Sequence, residues 1–121
     1  MHRSCPALLS AFLIATPIWA LDPFPASFHT QEIKTNGTIL HVRIGGEGPA
    51  VIMLHGFGDT GDMWAPVAAA LEVNHTVIVP DLRGMGLSAH PDDGYTKKNQ
   101  ATDIAGVMDA LQRQDGRPRH P

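Results

Sequence analysis

The sequence predicts an α/β protein built on an open sheet, and that sheet is incomplete. Three observations carry the prediction. Ala50 to Leu54 is a continuous apolar run that stops in the turn His55-Gly56-Phe57-Gly58. A second apolar run, His75 to Pro80, stops in another glycine-rich loop, Asp81-Leu82-Arg83-Gly84-Met85-Gly86-Leu87-Ser88. Segments with apolar residues at helical spacing follow each loop. Short runs without polar alternation suit strands covered on both faces. Strand, turn, helix, strand is the order of parallel strands joined by crossover helices. In such sheets the chemistry sits at the carboxyl ends of the strands.

Composition narrows the classes. A chain of 121 residues makes at most one domain, at roughly 100–200 residues each. Hydrophobic content of 43% and charged content of 17% exclude a disordered chain. A net charge of −3 and a pI near 6.1 leave no electrostatic footprint for nucleic acid or an anionic membrane. The single cysteine, Cys5, supports neither a disulfide framework nor a thiolate metal site. The seven histidines are scattered and no His-Glu-x-x-His occurs, so no metal and no cofactor are expected.

Residues 1–20 read as a secretory signal: Arg3 near the start, an apolar run from Ala7 to Ala15, Pro17, then the small Ala20 at the cleavage position. Ala7 to Leu21 is short of the roughly 20 residues that span a bilayer. A secreted or periplasmic protein, free of the membrane after cleavage, is therefore expected. Residues 21–27, with Pro23 and Pro25, read as an extended linker.

Asn36-Gly37 between two strand-like runs, Phe28 to Asn36 and Thr38 to Ile44, is a strong hairpin signal, because a type I′ turn needs positive φ at both central residues. In the second run Leu40, Val42 and Ile44 alternate with Ile39, His41 and Arg43. That pattern is expected of a half-exposed edge strand, with His41 at the surface. Gly45 to Pro49 superficially resembles a phosphate loop, but it opens a strand instead of a helix, and that reading is set aside. Asp62 or Thr60 caps the next helix and Pro66 fits its first turn. Trp64, Val67, Ala68 and Leu71 make its apolar face, and Asn74 ends it. Pro80 belongs at the end of its strand, since it has no N–H for a ladder. Thr96 caps a last helix with the stripe Ala101, Ile104, Ala105, Met108 and Leu111.

The apolar strand into His55-Gly56-Phe57-Gly58, the Trp64 beyond it, and Asp81 to Ser88 after the next strand together resemble the amino-terminal part of an α/β-hydrolase. The resemblance is nearest to the epoxide hydrolase and haloalkane dehalogenase branch, and it covers residues 28–112. Gly58 stands where the epoxide hydrolase pattern often has proline. The resemblance implies a hydrolase acting on a small-molecule substrate. Phe57 takes the position whose backbone N–H helps form an oxyanion hole, with His55, Gly56 and Gly58 shaping its turn. Trp64 reads first as a core aromatic and second as a wall of the substrate cleft. Asp81 and Arg83 are expected to pair with each other. Ser88, in Gly86-Leu87-Ser88-Ala89-His90, is rejected as a nucleophile, because His90 replaces the final glycine of the elbow pattern and no helix follows at once.

A hydrolase also needs a nucleophile and a base. The resemblance places both beyond the matched part, so neither is expected within this sequence. The chain is expected to be a truncated, inactive fragment. Nothing in the pattern sets an oligomeric state. Residues 113–121 have no apolar pattern and three arginines. GC-rich codons for Ala-Asp-Leu-Val-Thr-His, preceded by G and read in the shifted frame, spell Gly-Arg-Pro-Arg-His-Pro, which is Gly116 to Pro121. A frameshift near Asp115 is the expected origin of this tail. The alternatives are a serine esterase or lipase on the same fold and, in a different class, a non-catalytic remnant.

Overall fold

The computed structural model of the chain describes residues 24–116. The expected signal segment and the end of the tail, from Arg117 on, lie outside the described residues. A mixed four-stranded sheet forms the centre, with strand order β1-β2-β4-β3. The strands are β1 (His29–Thr35), β2 (Thr38–Gly45), β3 (Ala50–Ile52) and β4 (Thr76–Pro80). β1 and β2 form the antiparallel hairpin, β2 pairs antiparallel with β4, and β3 pairs parallel with β4. The hairpin turn is as the sequence predicts: Asn36 has φ +47° and Gly37 φ +76°. A 3₁₀ turn (Gly61–Trp64) leads into helix α1 (Ala65–Leu71), and helix α2 spans Lys97–Gln114. Thr60 caps the 3₁₀ turn and Thr96 caps α2 through their side-chain oxygens.

The strand period of two splits the apolar residues between two faces. Val77 and Val79 of β4 join Met53, Phe24, Ala65 and Ala68 beneath α1. Ile78 joins Leu40, Val42, Ile44, Ile33 and Val107 beneath α2. Helices thus cover both faces, the layering of an α/β fold.

Several expectations are corrected. β2 is not an edge strand. β1 flanks it on one side and β4 on the other, so His41 is buried, and it pairs through Nδ1 with Glu32, its register partner on β1. β3 is not central among the described residues. It has one hydrogen-bonded neighbour, β4, and its Val51 and Ile52 are only half buried. Of the stripe expected on α2, Ile104, Met108 and Leu111 pack against the core, but Ala101 and Ala105 are exposed and Asp103 and Val107 are buried instead. The cause is local. The Thr35 hydroxyl donates to the Asp103 carbonyl at 2.7 Å, and Gly106 meets Thr35 so closely that a Cβ would lie 2.0 Å from its Oγ1. In α1, Val67 is exposed and Ala65 takes its place against the sheet. The segment before β1 is no extended linker in its described part, since Phe24 is buried and the Phe28 N–H closes a turn on the Pro25 carbonyl. α2 reaches Gln114, two residues past the expected limit of 112. The loop at Gly45 to Pro49 uses its glycines for packing: a Cβ on Gly46 would stand 2.1 Å from the His75 carbonyl oxygen, and one on Gly48 2.4 Å from that of Asn74.

Candidate active site

The site is built where β3 and β4 end. Met53 extends the ladder by one bond, its N–H donating to the Ile78 carbonyl at 3.0 Å. The chain then turns through Gly56 to Asp59, closed by the Asp59 N–H on the Gly56 carbonyl at 3.2 Å. Gly58 sits at φ +76°, which disfavours any residue with a Cβ. Phe57 is 97% exposed. Its N–H has no hydrogen-bond partner among the described residues.

His55 is buried, and both ring nitrogens are engaged. Nε2 accepts the Leu82 N–H at 2.9 Å and Nδ1 donates to the Gly56 carbonyl at 2.8 Å. An accepting Nε2 requires the tautomer protonated at Nδ1. The ring therefore ties the loop after β3 to the loop after β4.

Between these loops and the start of α2 lies a groove of about 580 Å³. Leu54, His55, Phe57, Met85, Tyr95 and Ile104 are among its walls. Trp64 is not. It packs, half buried, against the core beneath α1, and its Nε1 lacks a partner among the described residues. The structure thus brings His55, Gly56 and Phe57 to one groove and leaves Trp64 on the other face of the sheet. A second groove, of about 560 Å³, lies between Gly46 to Gly48 and the end of α2, away from both glycine loops. Among the described residues no cluster of three or more His, Cys, Asp or Glu is placed to hold a metal ion. No helix there is long and apolar enough to cross a membrane.

Asp81 and Arg83 do not pair with each other. Asp81 takes Arg43 of β2, at 2.9 Å from Nη1. Arg83 forks onto Asp103 of α2, at 2.8 Å from Nε and 2.7 Å from Nη2. Arg83 also donates to the Asn36 and Asp93 carbonyls. All four side chains are buried. Burial alone would push the Asp81 carboxyl up. Hydrogen bonds from Arg43, from the Leu87 and Gly61 amides, and the Arg43 charge outweigh it, so the group lies below its ordinary value. Ser88 is buried with its hydroxyl fully used: it donates to the Asp81 carbonyl at 2.6 Å and accepts the His41 N–H at 2.8 Å. That geometry leaves it no role as a nucleophile.

Arg43 and Asp103 are the residues that sequence reasoning missed. A signal existed for Asp103: it lies four residues before Val107 on the buried side of α2, and an acid on such a stripe needs a partner. For Arg43 the signal was hidden by reading β2 as an edge.

The mixed sheet is covered by helices on both faces, and its glycine turns lie at the ends of the adjacent parallel strands β3 and β4, the layering of an α/β fold. Residues 49–115 match the model of the α/β hydrolase fold family, and the chain belongs to that family. It is 42% identical over 83 residues to an epoxide hydrolase of Caballeronia sordidicola, covering 66% of this chain and 25% of that protein. It is 37% identical over 94 residues to a cis-3-alkyl-4-alkyloxetan-2-one decarboxylase of Shewanella oneidensis, covering 75% of this chain and 28% of that protein. The haloalkane dehalogenase DatA from Agrobacterium tumefaciens C58 superposes with a TM-score of 0.68 at 27% identity, over 74% of this chain and 31% of that one. The chain thus spans between a quarter and a third of the length of these relatives.

Proposed function

We propose that this chain forms part of the active site of an epoxide-hydrolase-like enzyme. In the complete domain an aspartate from beyond the matched segment attacks an epoxide carbon, the C–O bond opens, and a covalent ester forms. Water then hydrolyses that ester through a tetrahedral oxyanion. The Phe57 N–H donates to this oxyanion, and the His55 ring and the two flanking glycines keep the peptide in place. The observation that carries the reading is the unpaired Phe57 N–H beside the groove at the end of β3. A backbone donor fixed in advance costs no reorganisation as charge develops. The likeness to an epoxide hydrolase at 42% identity supports an epoxide as the substrate class. Gly58, where that class often has proline, keeps a serine esterase or lipase as the second reading, and the elbow residue separates the two.

Alone, the chain supplies one donor and neither nucleophile nor base, so in this reading it is inactive. Export belongs to the same proposal, with cleavage after Ala20 ahead of the buried Phe24. The test of function is a chimera in which residues 28–112 replace the matching segment of the Caballeronia sordidicola enzyme. Epoxide turnover is expected, and Phe57→Pro, which deletes the N–H, is expected to lower kcat by about 10²–10³. A chimera indifferent to Phe57→Pro contradicts the proposed role.

A further inference from the structure

The loop that carries Phe57 is held at both ends by two consecutive residues. At its start the His55 ring takes the Leu82 N–H. At its end the Gly61 N–H donates to Asp81 Oδ1 at 2.7 Å. The other carboxylate oxygen, Oδ2, accepts the Leu87 N–H at 2.9 Å. Arg43 reaches both oxygens, at 2.9 and 3.4 Å. One fully buried carboxylate therefore joins the loop after β3, the loop after β4 and the middle of the sheet.

The surroundings are shaped for this contact. A Cβ on Gly86, at φ +53°, would stand 2.4 Å from Asp81 Oδ2. A Cβ on Gly61 would stand 2.6 Å from Arg43 Nη1 and 3.0 Å from Asp81 Oδ1. The loop backbones come this close to the carboxylate because both positions lack a side chain. A buried carboxylate is costly unless its lone pairs are filled. Here two of the four bonds that fill them come from loop amides, so the loops and the carboxylate stabilise one another.

We propose that Asp81 is a positioning residue: by clamping Gly61 and Leu87 it fixes the two loops against each other and holds the Phe57 peptide in a single conformation at the groove. The functional half of this proposal rests on the oxyanion reading of Phe57. Asp81 acts through Gly61, four residues away, and touches no reacting atom.

The test is ¹⁵N relaxation of the whole 121-residue chain, unsubstituted and as Asp81→Asn. Arg43 keeps a partner in the variant, because Asp62 also pairs with it at 2.9 Å. In the unsubstituted chain the Phe57 order parameter is expected near ~0.85, the rigid-backbone value. In Asp81→Asn, Phe57 and Leu87 are expected to fall below ~0.6 while Val77 and Val107 stay near ~0.85. Gly86→Ala displaces only the Leu87 arm and is expected to move the same amides by a smaller amount. Order retained at Phe57 in both variants overturns the proposal. So does a mobile Phe57 in the unsubstituted chain, or loss of order at Val77 and Val107 together with Phe57, or failure of both variants to fold. Because the readout is backbone order, it is independent of turnover. A Phe57→Pro chimera that keeps full activity would remove the oxyanion reading and leave the clamp in place.

Discussion

The His55 ring accepts the Leu82 N–H at 2.9 Å, across 27 residues of sequence. That bond sets the spacing between the two loops that bound the groove. His55→Ala leaves the part-buried Leu82 N–H without this partner. The expected cost is about 1–3 kcal/mol, read as a lower urea midpoint with an unchanged m-value. The tautomer is a sharper check. Ring ¹⁵N shifts should show Nδ1 protonated and Nε2 bare, and the reverse assignment contradicts the geometry.

Arg83 and Asp103 make a buried, bidentate pair between the loop after β4 and α2. Arg83→Met alone leaves the buried Asp103 carboxyl without its ion-pair partner, with Asn36 Nδ2 still donating to it, and an expected loss of about 3–5 kcal/mol. The double variant Arg83→Met, Asp103→Leu removes both charges and is expected to lose far less. A double-mutant cycle in denaturant measures the coupling. Additive losses would show that the pair is not the interaction that matters there.

Asp81 gives the fold an acid limit. Its folded-state value lies below the ordinary 3.8, so folding favours the charged carboxylate over the protonated form. The resulting stability is fully present above the ordinary value and is lost as pH falls through the depressed one. Unfolding free energy followed from pH 7 downward should decline below about pH 4, and Asp81→Asn should reduce that slope. An equal slope in the variant would assign the acid sensitivity elsewhere.

Much of the fold is legible in the residues. Asn36-Gly37 specifies the hairpin by its φ demands, Thr60 and Thr96 announce the helix starts, and Pro80 marks a strand end. What sequence leaves open is which strands lie side by side. Periodicity places residues on faces, yet neighbours in the sheet are set by long-range pairing: among the described residues β2 lies between two strands and β3 has one neighbour. The ion pairs follow from that order. Arg43 reaches Asp81 only because β2 lies next to β4. Residues 81 and 83 are close in sequence, so a local pair between them is the natural expectation, but each finds a partner on a different element. In the candidate site, the glycine turns and Phe57 are visible as a motif. The clamp at Asp81 is not, because it depends on two amides from two loops meeting one carboxylate.

We propose that this chain carries one part of a hydrolase site and needs the remainder of the domain for turnover. The most direct measurement is a steady-state assay of the purified 121-residue chain with an epoxide and an activated ester, beside a full-length epoxide hydrolase as control. No turnover above the uncatalysed rate is predicted for the chain, with saturable turnover in the control. Saturable hydrolysis of either substrate by the chain alone would contradict the account.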